Sequence, residues 1–316
     1  VNLMTKKILH ITNGSVLTEY LRDLDFKDDI LTWQEMLCEG PTIPKIDSDE
    51  FFKIRSQFLK EYYDIEIDNK ALQKELSKLN NADKYDEIHL WFEYDLFCHI
   101  NLLGVLNLIH QKRISKPLFL ICSGRVEGEK NLKGLGELTQ SQLLEHYKER
   151  IKLTDKDKEL AITLWRTYCG KDHNILKPYI VRESSFKYMS NCLKAHLKRF
   201  PHQKSGLSVL EDNILRLIRD NNIKSKHHLL GYSLNYQGYY GFGDTQHNRI
   251  IDKLSIFFDE DETGLKLNRK GHEALLRQHN FATEVNNDMT FGGVNRLEFQ
   301  FSVDQNKLVK TILHVD

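Results

Sequence analysis

An α/β fold is the expectation for this 316-residue chain. A parallel-sheet, Rossmann-like domain spans residues 1–138, and a mostly helical, winged-helix-like domain spans 139–316 and ends in a β-hairpin. Three observations lead there. Short, near-continuous apolar runs alternate with helical patterns through the first part, as in parallel strands covered on both faces. Beyond residue 138 the strand runs give way to consecutive helical segments marked by capping residues. The length also fits two domains.

Taken in order, Lys7–Thr12 is a β-type run and Asn13-Gly14-Ser15 is turn chemistry, because Asn and Gly tolerate positive φ. Ser15 is placed to cap a helix over Val16–Leu21. Asp29–Trp33 reads as a second strand, followed by the loop Cys38-Glu39-Gly40-Pro41-Thr42-Ile43-Pro44. Residues 48–80 are charged and helical, with apolar positions at helical spacing. Glu87–Phe92 is a third strand, broken by Glu93-Tyr94-Asp95 before the apolar helix Leu96–Ile109. Pro117–Cys122 is a fourth, leaving through Ser123-Gly124-Arg125. In the second part, Thr139 and Thr154 are N-caps and Gly170 a C-cap of successive helices. Ser208-Val209-Leu210-Glu211 is a capping box opening Leu210–Arg219. Asp244 caps Thr245–Leu254, Gly264–Leu267 is a short strand, and Asn268 caps Arg269–Gln278. Arg296–Ser302 and Lys307–Leu313 alternate around a turn as a hairpin.

Composition narrows the function classes. Hydrophobic residues at 40% and charged residues at 28% argue against extended disorder. Basic and acidic residues balance at 45 each, which excludes an overall basic coat but not a local basic face. No apolar run is long enough for a transmembrane helix, so no membrane partner is expected. The N-terminus lacks a signal-peptide pattern, with Met4 the expected start. Five cysteines, none in CxxC spacing, suit neither a disulfide framework nor a zinc knuckle, and a reducing cytoplasm is expected.

Ligands of open parallel sheets gather at the strands' carboxyl ends. Here those ends carry Asn13, Gly14 and Ser15, the loop with Glu39, then Glu93 and Asp95, and Ser123 with Arg125. Asn13-Gly14-Ser15 is either a plain turn and cap or an anion site at a helix N-terminus; it is neither G-x-G-x-x-G nor a Walker loop. Ser123-Gly124-Arg125 is either a strand exit or a phosphate-binding fork. Glu93 and Asp95 face the same side if the backbone stays extended, and could hold a divalent cation or divide acid and base roles. Alternatively Asp95 caps the next helix. Glu39 in its stiff loop is a possible third oxygen ligand. Cys98 and Cys122 read as inert core thiols.

The second part offers different chemistry. Lys194–His228 holds eight basic residues against three acidic, among them Lys204, Arg216, Arg219, Lys224 and Lys226. The order helix, connector, helix and strand suits a winged helix that contacts nucleic acid, or a solvated basic face. The run Tyr232–Phe242 interleaves aromatics with glycine and amides, either to stack a base or planar ligand or to pack between domains.

Several strings together resemble the uncharacterised bacterial family "domain of unknown function 1835" with its C-terminal companion domain. They are Leu9-His10-Ile11-Thr12-Asn13-Gly14, Trp33 with Glu35 and Cys38-Glu39-Gly40-Pro41, Trp91-Phe92-Glu93-Tyr94-Asp95-Leu96, Gly206-Leu207-Ser208 with Glu211, and Phe291-Gly292-Gly293-Val294. The resemblance implies an α/β first domain and a helix-turn-helix-like second one, with no established activity. It also implies an acid after Asn-Gly and a His between the Glu and Asp, where this chain has Ser15 and Tyr94.

Three readings follow. In the first, a module binds a small phosphate or nucleotide-like ligand and is coupled to a nucleic-acid or partner-binding domain. In the second, a metal-dependent phosphoesterase or nuclease uses Glu39, Glu93 and Asp95. The third is a ligand-free scaffold. No cofactor or catalytic residue is named by the sequence, and a divalent metal belongs only to the second reading.

Overall fold

The structure is a computed structural model and describes residues 6–311. β1 (Ile8–Asn13) leads through α1 (Ser15–Asp23) to β2 (Asp29–Trp33). The chain then forms the two-residue β3 (Gly40–Pro41), α2 (Asp49–Tyr63) and α3 (Asn69–Leu76), and returns as β4 (Glu87–Trp91). α4 (Leu96–Gln111) leads to β5 (Leu118–Ile121), and after α5 (Gln140–Lys148) comes β6 (Ile151–Lys152). The sheet order is β2-β1-β4-β5-β6, with β6 antiparallel to β5 and all other pairs parallel.

The molecule is thus α/β with a mixed, mostly parallel sheet. The four parallel strands are those the apolar runs predict. The fifth, β6, is two exposed residues, too short for an apolar run to mark it. Leu17, Leu21 and Leu143 cover one face with Trp91 and Ile121. Residues of α2–α4 join Leu9, Ile11, Leu31 and Leu90 in the larger core on the other. The chain runs outward from β1 to β2, then crosses back to β4 on the far side of β1. At such a reversal the two connections leave opposite faces, and a crevice opens beyond the carboxyl ends of β1 and β4.

Several expectations are corrected. Residues 48–80, expected to be helical, divide into two helices and a 3₁₀ turn. Asp64 ends α2 in the left-handed conformation, which Asp tolerates better than most residues, and Asp68 caps α3 through the Lys70 and Ala71 N–H groups. Gly14, not Ser15, is the N-cap of α1, and no side chain caps that helix.

The second part runs α6 (Asp155–Tyr168), α7 (Met189–Leu197), α8 (Val209–Asp220), α9 (Lys226–Asn235) and α10 (Asp244–Lys253). A hairpin of β7 (Phe258–Asp261) and β8 (Gly264–Leu267) follows, then α11 (Arg269–Leu275) and α12 (Ala282–Val285). Thr139, Thr154, Ser208 and Asn268 take their expected capping positions. Gly243, rather than Asp244, is the N-cap of α10. Beyond α12 lie β9 (Thr290–Gly292), β10 (Val294–Asn295), β11 (Phe299–Ser302) and β12 (Lys307–Lys310). β11 and β12 form the expected hairpin, though Arg296–Glu298 is a 3₁₀ turn and Leu313 lies outside the described residues.

β9 pairs in parallel with β3, so Phe291-Gly292 lies beside Gly40-Pro41 from the opposite end of the sequence. The β2–β3 loop is held by buried polar side chains. Arg55 of α2 grips the Glu35 carboxylate at 2.9 Å and donates to the carbonyls of Met36, Glu39 and Pro41. Asn101 of α4 accepts the Leu37 N–H at 3.0 Å and donates to the Glu35 carbonyl. This clamp fixes one wall of the crevice.

Candidate functional site

The carboxyl ends of β1, β2 and β4 carry two neighbouring depressions. One, of about 460 Å³, lies beyond β1 and β2; Asn13, Gly14, Trp33, Leu59, Leu72 and Phe97 are among its walls. The other, of about 660 Å³, is bounded by Glu93, Asp95, Gly134 and the loop Gln237–Phe242. Between them the Asn13 amide donates to Cys98 Sγ at 3.0 Å and accepts from Asn101 at 2.8 Å.

Gly14 sits at φ 96°, a backbone region that favours glycine, and nothing lies within 4 Å of where a Cβ would project. Its position is tied by its N–H to the Trp33 carbonyl at 2.9 Å. A chain of hydroxyls, Thr12 to Thr18 to Thr32 at 2.6 and 2.8 Å, holds α1 against both strands. The first turn of α1 has no side-chain cap and no acidic residue, and Val16 is 72% exposed. First-turn N–H groups have no intrahelical acceptor, so this end presents free donors and the positive end of the helix dipole. Ser15 contributes that backbone; its side chain is exposed and caps nothing.

The start of α4 is the opposite case. Asp95 Oδ1 accepts the Cys98 N–H at 2.8 Å, and the Leu96 and Phe97 N–H groups go to the carbonyls of Tyr239 and Tyr240 at 2.7 and 3.2 Å. The aromatic run Tyr232–Phe242 therefore packs onto the rim rather than standing free. Gly241, at φ 68°, lies so close that an added Cβ would meet the Asp95 carboxyl at 2.1–2.5 Å.

Glu93 lies under the turn at Gly134–Gly136, its Oε1 accepting the Gly136 N–H at 3.4 Å. Donor atoms of Glu93, Asp95 and Cys98 fall within 4.8 Å of one another. Burial, and then the neighbouring Glu93 charge, pushes Asp95 up to about 7. Burial likewise raises Glu93, against the pull of the Gly136 and Leu135 N–H groups. The thiols of Cys98 and Cys122 are driven up by burial, Cys122 to about 12, as inert core thiols would be.

Three expected rim residues lie elsewhere. The Glu39 carboxylate is buried and accepts a hydrogen bond from the Tyr63 hydroxyl. It borders a separate void of about 20 Å³ with Arg199, Glu211 and Arg296, so it cannot complete a ligand set with Glu93 and Asp95. Ser123 is 1% exposed, and its hydroxyl finds no partner among the described residues. Arg125 is exposed; its backbone N–H, not its guanidinium, is used, donating to the Tyr188 hydroxyl at 2.8 Å. Neither residue borders the two depressions.

Three of the eight basic residues of Lys194–His228 are paired with acids. Arg216 pairs with Asp212, Arg219 with Asp220 and Lys226 with Asp252, all at 2.6–3.0 Å. Lys204 and Lys224 are exposed. The β7–β8 hairpin carries Asp259, Glu260, Asp261 and Glu262 around its turn, a charge that repels a phosphate backbone. α10 packs inward, with the Arg249 guanidinium 5.4 Å from the centre of the Tyr62 ring.

Sequence reasoning passed over the apolar walls around Trp33 and Phe97 and the glycine seats at Gly134 and Gly241. Gly241 stood inside a run singled out for its aromatics, and a lone glycine between Tyr240 and Phe242 is the signal that would have placed it. No family model matches the chain, and no curated protein is significantly similar to it.

Proposed function

We propose that the protein binds a small phosphorylated, nucleotide-like ligand at the carboxyl edge of its sheet, with the phosphate seated on the first turn of α1. The observation that carries this reading is the juxtaposition at Gly14. An uncapped, acid-free helix start opens beside a cavity of about 460 Å³ beyond the carboxyl ends of β1 and β2. The ordered loop between β2 and β3 and the aromatic loop over Asp95 link this edge to the second part of the chain. Ligand state can therefore reach α9 and α10 through the Tyr239 and Tyr240 carbonyls.

The second part supports a winged-helix-like reading. α8, α9 and α10 precede the β7–β8 hairpin, and the Leu265 N–H donates to the Ile223 carbonyl at 2.8 Å, tying the hairpin to the segment between α8 and α9. Its acidic hairpin and paired arginines favour a protein partner over nucleic acid. Kinship with the family "domain of unknown function 1835" belongs to the same reading. In its favour, the strings Cys38–Pro41 and Phe291–Val294 lie side by side.

Metal-dependent phosphoester hydrolysis is the weaker reading. Glu93 and Asp95 are paired at a cleft, but Glu39 is engaged elsewhere and the Cys98 thiol is held protonated by burial.

Ser15→Glu tests the phosphate seat. A carboxylate in the first turn stabilises a helix by about 0.3–1 kcal/mol while occupying and repelling an anion site. The wild type should bind adenosine monophosphate with an affinity that falls as salt rises. The variant should lose that binding more than about tenfold at equal or higher thermal stability. Unchanged binding in Ser15→Glu removes the proposal.

A further inference from the structure

We infer that α3 is a hinged lid on the cavity beyond β1 and β2, latched to the open edge of β2 by the Glu75 side chain. The lid governs how the cavity opens, whatever enters it. Of the eight residues of α3, only Leu76 at its carboxyl end is buried, against thirteen of sixteen in α4. Its inward side faces space. Ala71, Leu72 and Glu75 border the cavity of about 460 Å³, and Leu72 is only half-buried. Few buried contacts mean a small free energy of local opening.

Beyond its own turns and flanking residues, α3 makes two hydrogen bonds among the described residues. At its start Asn69 Oδ1 accepts from the Ser56 hydroxyl at 3.2 Å. In its last turn Glu75 Oε2 accepts the Thr32 N–H at 3.0 Å. β2 is an outer strand of the sheet, so no neighbouring strand takes this N–H, and a carboxylate stands in for one. Lys78, just past α3, does the same for the Ile30 carbonyl at 2.7 Å and holds the Glu75 carboxylate at 2.8 Å.

Both ends of α3 are free to turn. Before it, Asp64 leaves α2 in the left-handed conformation, and residues 64–68 are exposed apart from the half-buried Ile67. After it, buried Leu79 and Ala82 anchor the 3₁₀ turn that follows, so the pivot falls between Leu76 and Ser77. A helix of eight residues is marginal away from the body of the protein, so α3 melts as it swings out. Opening therefore frees the Thr32 N–H and the amides of α3 together.

Amide hydrogen exchange of the full chain, read residue by residue by nuclear magnetic resonance, tests this. Relative to their unfolded-chain rates, the Gln73 and Thr32 N–H groups should exchange alike, and at least about a hundredfold faster than those of Leu31 and Leu103. Alternation along the strand turns Leu31 toward β1, and Leu103 lies within α4. Glu75→Ala should speed Gln73 roughly tenfold, as for one lost hydrogen bond to a charged group, and leave Leu103 unchanged. Glu75→Gln keeps an acceptor and should hold Gln73 within about threefold of wild type. If Gln73 exchanges as slowly as Leu103, the helix opens only with the whole fold and the lid is refuted. If Gln73 is fast while Thr32 stays as slow as Leu31, α3 frays in place and the proposal is equally lost. A Glu75→Ala variant in which Gln73 is unchanged, or in which Leu103 quickens as much, overturns the latch.

Discussion

Replacing Asp95 with Asn should make the protein more stable above neutral pH and leave it unchanged in acid. Asp95 is 5% exposed and caps α4 through the Cys98 N–H at 2.8 Å. Burial, followed by the Glu93 charge, raises its pKa from 3.8 to about 7. The folded protein therefore keeps a proton that the unfolded chain has already released. Stability declines as pH rises from about 4 to about 7 and stays at the lower level beyond. Roughly three pH units at about 1.4 kcal/mol each set a ceiling of ~4 kcal/mol. Asn caps a helix as well as Asp does and carries no charge, and its amide has the Glu93 carboxyl close by as acceptor. Asp95→Asn should thus gain up to ~4 kcal/mol at about pH 8 and lie within ~0.5 kcal/mol of wild type near pH 4. Urea unfolding of both proteins across that range reads the difference directly and cancels the titrating groups not coupled to Asp95. A variant less stable than wild type by the same amount at every pH would show that the buried charge costs nothing, and the reasoning would fail.

Other perturbations follow from the same kind of bookkeeping. Burial holds His10 down to about 3 and His99, His173 and His247 to about 4, so the unfolded chain takes up these protons below 6.5 and the folded one does not. Stability should fall steeply from about pH 6 to pH 4, by about 1.4 kcal/mol per group per pH unit, and a flat acid profile by circular dichroism would contradict this. Burial alone would raise Glu211, but the charge and hydrogen bonds of Arg296, 2.8 Å away, hold it near 2. Arg296→Met strands that carboxylate and should cost about 3–5 kcal/mol in urea unfolding; a loss below ~1 kcal/mol would mean the pair is not buried in solution. Millimolar manganese should leave thermal stability unchanged. A rise abolished by Glu93→Gln would return the metal reading to first place.

Much of the framework was legible because periodicity and capping are local. The four parallel strands are short, largely buried runs, and Thr139, Thr154, Ser208 and Asn268 write their caps within three residues. The elements that escaped depend on partners distant in sequence. β6 is two exposed residues recruited by the edge of β5, and β3 exists only because Phe291-Gly292 lies beside Gly40-Pro41. The site divides the same way. Asn13, Gly14, Glu93 and Asp95 reach the rim because strand ends must. Glu39 does not, because Arg55 turns its loop inward and Tyr63 takes its carboxylate. The net positive charge of Lys194–His228 is read from sequence, but the pairing of Arg216, Arg219 and Lys226 with Asp212, Asp220 and Asp252 appears only in the structure. The cavity walls came from β2, α2, α3 and α4 together, and no single stretch of sequence announces them.

A crystal structure of the full chain soaked with adenosine monophosphate tests the central claim most directly. The phosphate should lie within about 3 Å of the Ser15 and Val16 N–H groups. Density for the nucleotide over Glu93 and Asp95 instead, with the α1 end empty, would contradict it.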